Sequence, residues 1–474
     1  MQTTWYINEA KKQLNNTNIY TALTSLPDYT IITTALKAIM NTQNWLSSTQ
    51  SKKLFNDLTV DISLNRVRPC RIYFLPKVHK TPTGMRPICA SQNWITYWTS
   101  CYIHLSIFPL LKLIPSYITN SAALVASLPT IKPPHFFQFL EADIDNLYPS
   151  IDIEDGLQAL KYFLNVKVRL HHTQTHLLVH LTRWVLTNNY LSFGDEIFLQ
   201  ISGTVMGTPC AVVFACIYVG VLEAEAFNIF TRSCSLSLVT LYKRFIDDLV
   251  AIISDYDTAH LLMRILNSRR KSIHFTFKIR NSETQFLDLT LYKTIINHTP
   301  TVAVRAYSKP MNKFLFLPPT SCHPPHIFKG WITGYGRRLR LNCSNDKDFE
   351  NNLSAFKSRL LARGYSETTI QNAFDKIPNR GLILNSVTTS APKKLIGVPF
   401  VITYSPEIKE VMPHIKHALS LKEEAYLDPH FPQIFGTRTT PMISFKRGKN
   451  LKDIVSPSAL KTNKMTIPDT QIEL

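Results

Sequence analysis

Two aspartates stand side by side in RFIDDLVAIISD, residues 244–255, with β-prone apolar residues on both sides. Adjacent carboxylates in such surroundings repel each other and lose hydration, which raises their pKa values unless a cation lies between them. Asp247 and Asp248 therefore form either an exposed hairpin turn, where Asp bonds its own main chain, or part of a metal site. A second carboxylate cluster, DIDNLY at 143–148, follows the apolar strand FFQFLEA. If the two strands neighbour each other in one sheet, Asp143, Asp247 and Asp248 meet at one edge. Mg2+ wants hard oxygen ligands and keeps several waters, so two or three carboxylates plus substrate phosphates suffice. Two such ions about 3.5–4 Å apart support in-line phosphoryl transfer. No cysteine or histidine is required.

The surrounding pattern predicts the elements that must hold these groups. Residues 1–65 read as mostly helical. CRIYFLPKVHKTPTGMRPICAS, 70–91, reads as a hairpin with a Pro/Gly turn and cationic side chains towards its tip: Lys77, Lys80 and Arg86. Helical stretches fill about 96–128, and the strand before Asp143 leads into a turn and an amphipathic helix. A further helix covers about 172–188, followed by a short strand and the turn SGTVMGTP. The run AVVFACIYVGVL, 211–222, is closed by Glu223. It falls short of the roughly 20 residues that span a bilayer and reads as a buried core helix. Beyond the aspartate pair, HLLMRILNSRRKSI reads as a helix, and FTFKI, FLDLTLYK and TVAVRAYSKP read as strands. The fold class is α+β with antiparallel pairing.

Composition narrows the partners. The 474-residue chain is 45% hydrophobic, enough for several packed units and against a disordered chain. Lysine and arginine number 52 against 33 acidic residues, a formal charge of +19 that points to a polyanion, nucleic acid before anionic membrane. Eight scattered cysteines without a C-x-x-C pair, and a start lacking the layout of a secretory signal, predict reduced thiols inside the cell. Cys322, His323 and His326 lack a nearby fourth ligand and do not read as a zinc site.

Taken in order, LPKVHK with RPI, ADIDNLYPSI, SGTVMGTP, RFIDDL, FLDL and YSKP resemble the consecutive motifs of reverse transcriptases. Their spellings resemble those of Penelope-like retroelements, and SCHPPHIFKG, FVITYSP and FKRGKNLKDI extend the similarity over about residues 60–460. The resemblance implies a right-hand polymerase: an N-terminal helical region at 1–65, fingers at 66–135, palm at 136–308, a basic thumb-like region at 309–395 and a C-terminal extension at 396–474. It implies Asp143, Asp247 and Asp248 as catalytic residues and as ligands of two Mg2+ ions, with Mn2+ as a substitute. Phe245 and Ile246 replace the Tyr and Met often found before the pair. Tyr148 becomes a steric gate against a ribose 2′-hydroxyl, where composition alone would make it a core tyrosine.

By the same resemblance, Lys77 and Arg86, with Lys80, contact the nucleotide triphosphate, which suits a planar guanidinium and ammonium groups. Gly203 and Gly207, ahead of Pro209, let backbone approach the base pair or template. Tyr307, Lys309 and Pro310 resemble a primer-gripping turn, and Arg337, Arg338 and Arg340 form a basic patch for the phosphates of a duplex. The implied function is RNA-directed DNA polymerisation, with an RNA template, a DNA primer and deoxynucleoside triphosphates as partners and no membrane. The alternative is a retroelement-derived nucleic-acid-binding protein without polymerase activity; a telomere-maintaining polymerase would share the chemistry. Nuclear residence is expected from a DNA product and the basic charge, with the cytoplasm as second compartment. Many Penelope-like proteins carry a GIY-YIG endonuclease after the segment FKRGKNLKDI resembles; none is legible before Leu474, so an endonuclease-lacking or shortened copy is expected.

Overall fold

The computed structural model describes residues 3–41, 67–77, 83–389, 397–405, 407–420 and 440–446, together with residues 49, 52, 55 and 56. Lys80 and the part of FKRGKNLKDI from Arg447 onward lie outside the described residues. Six strands precede the long core helix: β1 (Tyr20–Leu23), β2 (Cys70–Lys77), β3 (Gly84–Ala90), β4 (Gln138–Ile144), β5 (Tyr190–Phe193) and β6 (Glu196–Gln200). After it come β7 (Val239–Phe245), β8 (Asp248–Ile253), β9 (Phe275–Arg280), β10 (Glu283–Phe286), β11 (Leu289–Ile296) and β12 (Thr299–Ala306).

The fingers are built on a five-stranded sheet of order β1-β6-β5-β2-β3. In β2 the alternation expected of a half-buried strand is plain, with Cys70, Ile72 and Phe74 buried and Arg71, Tyr73 and Leu75 exposed. The N-terminal region holds α1 (Thr3–Leu14) and α2 (Tyr29–Asn41), yet it also supplies β1, which pairs with β6 from Tyr20↔Gln200 to Leu23↔Ile197. Residues 190–200 add the β5–β6 hairpin to the same sheet. This sheet draws strands from both sides of the expected divisions at 65 and 136. Strands of four residues are too short to show a period of two, so β1 hid among helical residues.

The palm sheet runs β7-β8-β4-β9, all antiparallel. Along β4, Leu140, Ala142 and Ile144 point into the large core beneath the sheet, while Phe139, Glu141 and Asp143 take the other face by alternation. Beneath it lie α5 (Ala211–Ser233) and α6 (Tyr256–Arg269), with α4 (Ile153–Tyr162) against α5 and α3 (Ser121–Ser127) on the opposite side of the sheet. The other face is partly covered by the β10-β11-β12 sheet through Phe286, Leu289, Leu291 and Val304. By length and composition α5 is able to cross a membrane, but most of it is buried inside this fold. Glu223, expected to close the apolar run, instead sits buried within the helix at 3% exposure.

FLDLTLYK, expected as one strand, is divided. β10 ends at Phe286, Leu287 takes a left-handed φ of 55°, and β11 begins at Leu289. The thumb region is a helical unit of α7 (Pro325–Leu341), α8 (Asp346–Ala362) and α9 (Glu367–Phe374), followed by α10 (Arg380–Thr389). Its core is aromatic: Phe356 is fully buried and packs against Phe316, Trp331, Tyr335 and Phe374. Beyond it, β13 (Gly397–Thr403) and β14 (Thr440–Lys446) pair in parallel.

Candidate active site

Register brings the carboxylates together. Ala142 on β4 faces Leu249 on β8, so one rung further Asp143 stands beside Asp248, with Thr276 of β9 on its other flank. Phe245 pairs with Asp248, leaving Ile246 and Asp247 as a two-residue hairpin turn. The Ile144 amide donates to the Asp247 carbonyl at 3.3 Å, which fastens that turn to the end of β4. The aspartate pair is thus not itself the turn: Asp247 lies in it and Asp248 opens β8. Ile246 carries the load of this arrangement, since its φ of 59° is a conformation that β-branched residues avoid.

Electrostatics couple the carboxylates. Loss of hydration, then the charges of Asp247 and Asp143, push the Asp248 carboxyl up to about 6; Lys309 opposes the rise and Glu141 adds to it. Glu141, two residues before Asp143 on the same face, accepts a bond from Thr284 Oγ1 at 3.1 Å. The donor set is all hard oxygen on adjacent strands, which fits Mg2+. Among the described residues no group of three or more Asp, Glu, His or Cys side chains is placed to hold a metal ion by itself. An ion shared with substrate phosphates needs no such group.

Tyr148 lies directly after this edge. Asn146, at a left-handed φ of 47°, turns the chain from β4 into the short helix Leu147–Ser150. The half-buried Tyr148 hydroxyl has its pKa raised by burial first, then by Cys216 and Asp247, while Arg86 lowers it; the ring therefore sits between the carboxylates and the fingers. Lys77 and Arg86 belong to the outer face of the β2–β3 hairpin, where Lys77 faces Gly84 and Arg86 faces Leu75.

The two glycines answer to the protein's own backbone, a reason different from the expected approach to template. Gly203, at φ 71°, has the Tyr148 carbonyl and Pro149 where a Cβ would be. The neighbouring Thr204 amide donates to the Tyr148 carbonyl at 2.9 Å. Gly207, at φ 117°, leaves no room for a Cβ against the Cys89 carbonyl, and Cys89 N donates to Met206 O at 2.8 Å. One loop therefore grips both Tyr148 and the finger strand β3.

The remaining expected contacts divide. Tyr307 N donates to Asp288 O at 2.8 Å, and Lys309 projects from the same segment into range of Asp248. With Arg338, Arg359 and Asn312 they line a cleft of about 550 Å³ between the β10–β11 turn and the thumb. The basic patch, however, is not three free cations. Burial raises the Asp288 carboxyl, but a bond from Ser121, the pairing with Arg338 at 2.8 Å and a bond from Asn342 outweigh it and leave the group below its ordinary range. Arg340 pairs with Asp346 at 2.7 Å and lies over the Phe349 ring. Arg337 is exposed.

The sequence reading passed over Arg244 and Glu223, which form a buried ion pair at 2.7 Å directly under the aspartate turn. An Arg next to the motif and a Glu inside an apolar run were the available signals.

A sequence model of the animal helix-turn-helix domain matches residues 315–375, the span of α7 to α9. No curated protein matches the chain. Among solved structures, telomerase from Candida albicans in complex with a TWJ fragment of telomeric RNA is similar over 91% of this chain and 67% of that one, at 11% identity and a TM-score of 0.52. Apo telomerase from Candida tropicalis is similar over 82% and 64%, at 13% identity and a TM-score of 0.42. The BmCPV RNA-dependent RNA polymerase at quiescent state is similar over 61% and 26%, at 10% identity and a TM-score of 0.37. The chain spans about two thirds of the telomerase chains it resembles. The fold is that of a right-hand nucleic-acid polymerase, α+β with an antiparallel palm.

Proposed function

We propose that the chain is an RNA-directed DNA polymerase that extends a DNA primer on an RNA template, and that it belongs with the Penelope-like reverse transcriptases. The observation that carries this reading is the rung-to-rung placement of Asp143 beside Asp248, with Asp247 in the turn between β7 and β8. Bound Mg2+, or Mn2+, would lower the pKa of the primer 3′-hydroxyl and neutralise the leaving pyrophosphate. Asp143, Asp247 and Asp248 would hold it. Lys77 and Arg86 orient the triphosphate from the fingers, and Tyr148 fills the space beneath the incoming sugar. Tyr307 and Lys309 steady the primer end beside the carboxylates, and the exposed Arg337 meets duplex phosphates. Template, primer, deoxynucleotides and nuclear residence all belong to this one proposal.

Primer extension tests it. The full chain with Mg2+, an RNA template, a DNA primer and all four deoxynucleotides should yield extended primer, and Asp247→Ala should lose synthesis while keeping primer–template affinity. A wild-type chain that binds primer–template tightly and extends nothing would leave only the binding protein.

A further inference from the structure

The catalytic hairpin rests on a polar network that the proposed chemistry does not touch. Arg244 is fully buried; its Nε donates to Glu223 Oε1 at 2.7 Å and its Nη2 to Glu223 Oε2 at 3.1 Å and to the Cys216 carbonyl at 3.2 Å. Its Nη1 donates to the Ile246 carbonyl at 2.8 Å. Glu223 also accepts from Ser116 Oγ at 2.5 Å and from the Tyr242 hydroxyl at 3.0 Å. The Arg244 backbone is tied at both ends, its amide to Ser116 O at 2.7 Å and its carbonyl to Ile118 N at 3.0 Å. Stripping two charges of water is costly, and apolar residues of similar volume usually fill such a place at least as stably. Stability is therefore a poor account of the pair.

We propose that Arg244 and Glu223 are positioning residues that set the aspartate turn for metal binding, an inference that rests on the polymerase reading above. Ile246 holds a left-handed conformation that nothing in its own chemistry favours. Its carbonyl is gripped by a guanidinium that is itself clamped to the core helix α5. The grip fixes the peptide between Ile246 and Asp247, and through it the direction from which Asp247 and Asp248 approach Asp143. A planar fork performs both tasks at once. A lysine ammonium in its place keeps a charge for Glu223 but cannot also reach the Ile246 carbonyl in the same geometry.

Arg244→Lys separates the two roles. Mn2+ affinity is measured by calorimetry on the full chain without nucleic acid, alongside the melting temperature, primer–template affinity and the Mg2+ dependence of extension. The variant should fold and bind primer–template as wild type does, bind Mn2+ about tenfold more weakly, and need correspondingly more Mg2+ for half-maximal extension, in line with the loss of an outer-shell partner. A folded Arg244→Lys with unchanged Mn2+ affinity and Mg2+ dependence would reduce the pair to core support. Should it not fold, the double variant Ser116→Ala, Tyr242→Phe removes two bonds to Glu223 and no charge. It should weaken Mn2+ binding by a smaller factor, and an unshifted affinity in the folded double variant overturns the proposal. If wild type binds Mn2+ in a manner lost in Asp247→Ala but extends no primer, the polymerase reading fails and the positioning role stands. Mn2+ binding indifferent to Asp247→Ala would sink both.

Discussion

Replacing Asp248 by Asn should stabilise the metal-free protein while it removes the proposed chemistry. Asp248 opens β8 next to Asp247 and across from Asp143 on β4, and lost hydration with those two charges lifts its carboxyl from 3.8 to about 6. Unscreened, a rise of that size corresponds to about 3 kcal/mol. The side chain is open to solvent, however, which screens repulsion and brings the figure nearer to about 1 kcal/mol. The folded-state value lies above the unfolded one. The stability tied to the protonated form is thus complete below the ordinary carboxylate range and is lost as pH rises through about 6. Asn does not titrate. The two proteins should therefore melt alike near pH 4, with Asp248→Asn gaining about 1–2 °C over wild type by about pH 8, the shift about 1 kcal/mol produces in a large chain. The assay is scanning calorimetry in EDTA across that range. Added Mg2+ should then stabilise wild type more than the variant, because a ligand that binds only the folded state adds to stability by mass action. A difference that stays flat with pH, or an Asn variant that melts lower at high pH, would refute the idea that carboxylate repulsion is stored at this edge.

Three further outcomes follow from the site. Gly203→Ala should depress extension and lower the melting temperature together, because a Cβ there meets the Tyr148 carbonyl and Pro149 and must also adopt a φ of 71°; an active, fully stable Ala variant would show that the loop does not set Tyr148. Tyr148→Val should raise ribonucleotide use relative to deoxynucleotide use, read as a ratio of kcat/KM values; an unchanged ratio in a folded, active variant makes Tyr148 an ordinary packing residue. Arg337→Gln should flatten the logarithmic salt slope of duplex binding by about 0.9 if it neutralises one phosphate of a B-form duplex, whereas Arg340→Gln, which loses Asp346 and the Phe349 ring, should cost thermal stability and leave the slope alone. Equal slopes for Arg337→Gln and wild type would remove Arg337 from the interface.

The palm was legible because its signals are local and strong. Alternation in FQFLEADI places Asp143 on one face, and a two-residue break between apolar runs places Asp247 and Asp248 at a turn. What joins them, the adjacency of β4 and β8, is a pairing between distant segments, and a period of two says nothing about which strand lies alongside. The finger sheet was harder for the same reason: β1 has four residues and finds its partner at residues 197–200. Gly203 and Gly207 could be seen as turn glycines, yet the carbonyls of Tyr148 and Cys89 that exclude a side chain there come from elsewhere in the chain. Arginine side chains in the thumb read alike on the page; only the fold assigns Arg338 to Asp288 and Arg340 to Asp346 and leaves Arg337 exposed.

Glu223 shows why such a residue misleads. A carboxylate ending a run of twelve apolar residues reads as the point where the helix reaches water, since an unpaired charge inside a core costs far more than any helix terminus. The inference fails only if a cation arrives from another segment, and here it does: Arg244 enters from β7, fully buried, with Ser116 and Tyr242 satisfying the remaining carboxylate lone pairs. The same arginine sits two residues before Ile246, so the charge that makes Glu223 tolerable in the core also reaches the aspartate turn. Strand β7 can carry Arg244 to both partners because its rungs end at Phe245↔Asp248. A shift of one residue in that register would turn the guanidinium out of the core, leave Glu223 unpaired and release the turn. The buried pair and the aspartate edge are therefore specified by a single strand register, which makes the ion pair a lock on the register as well as a hold on the turn.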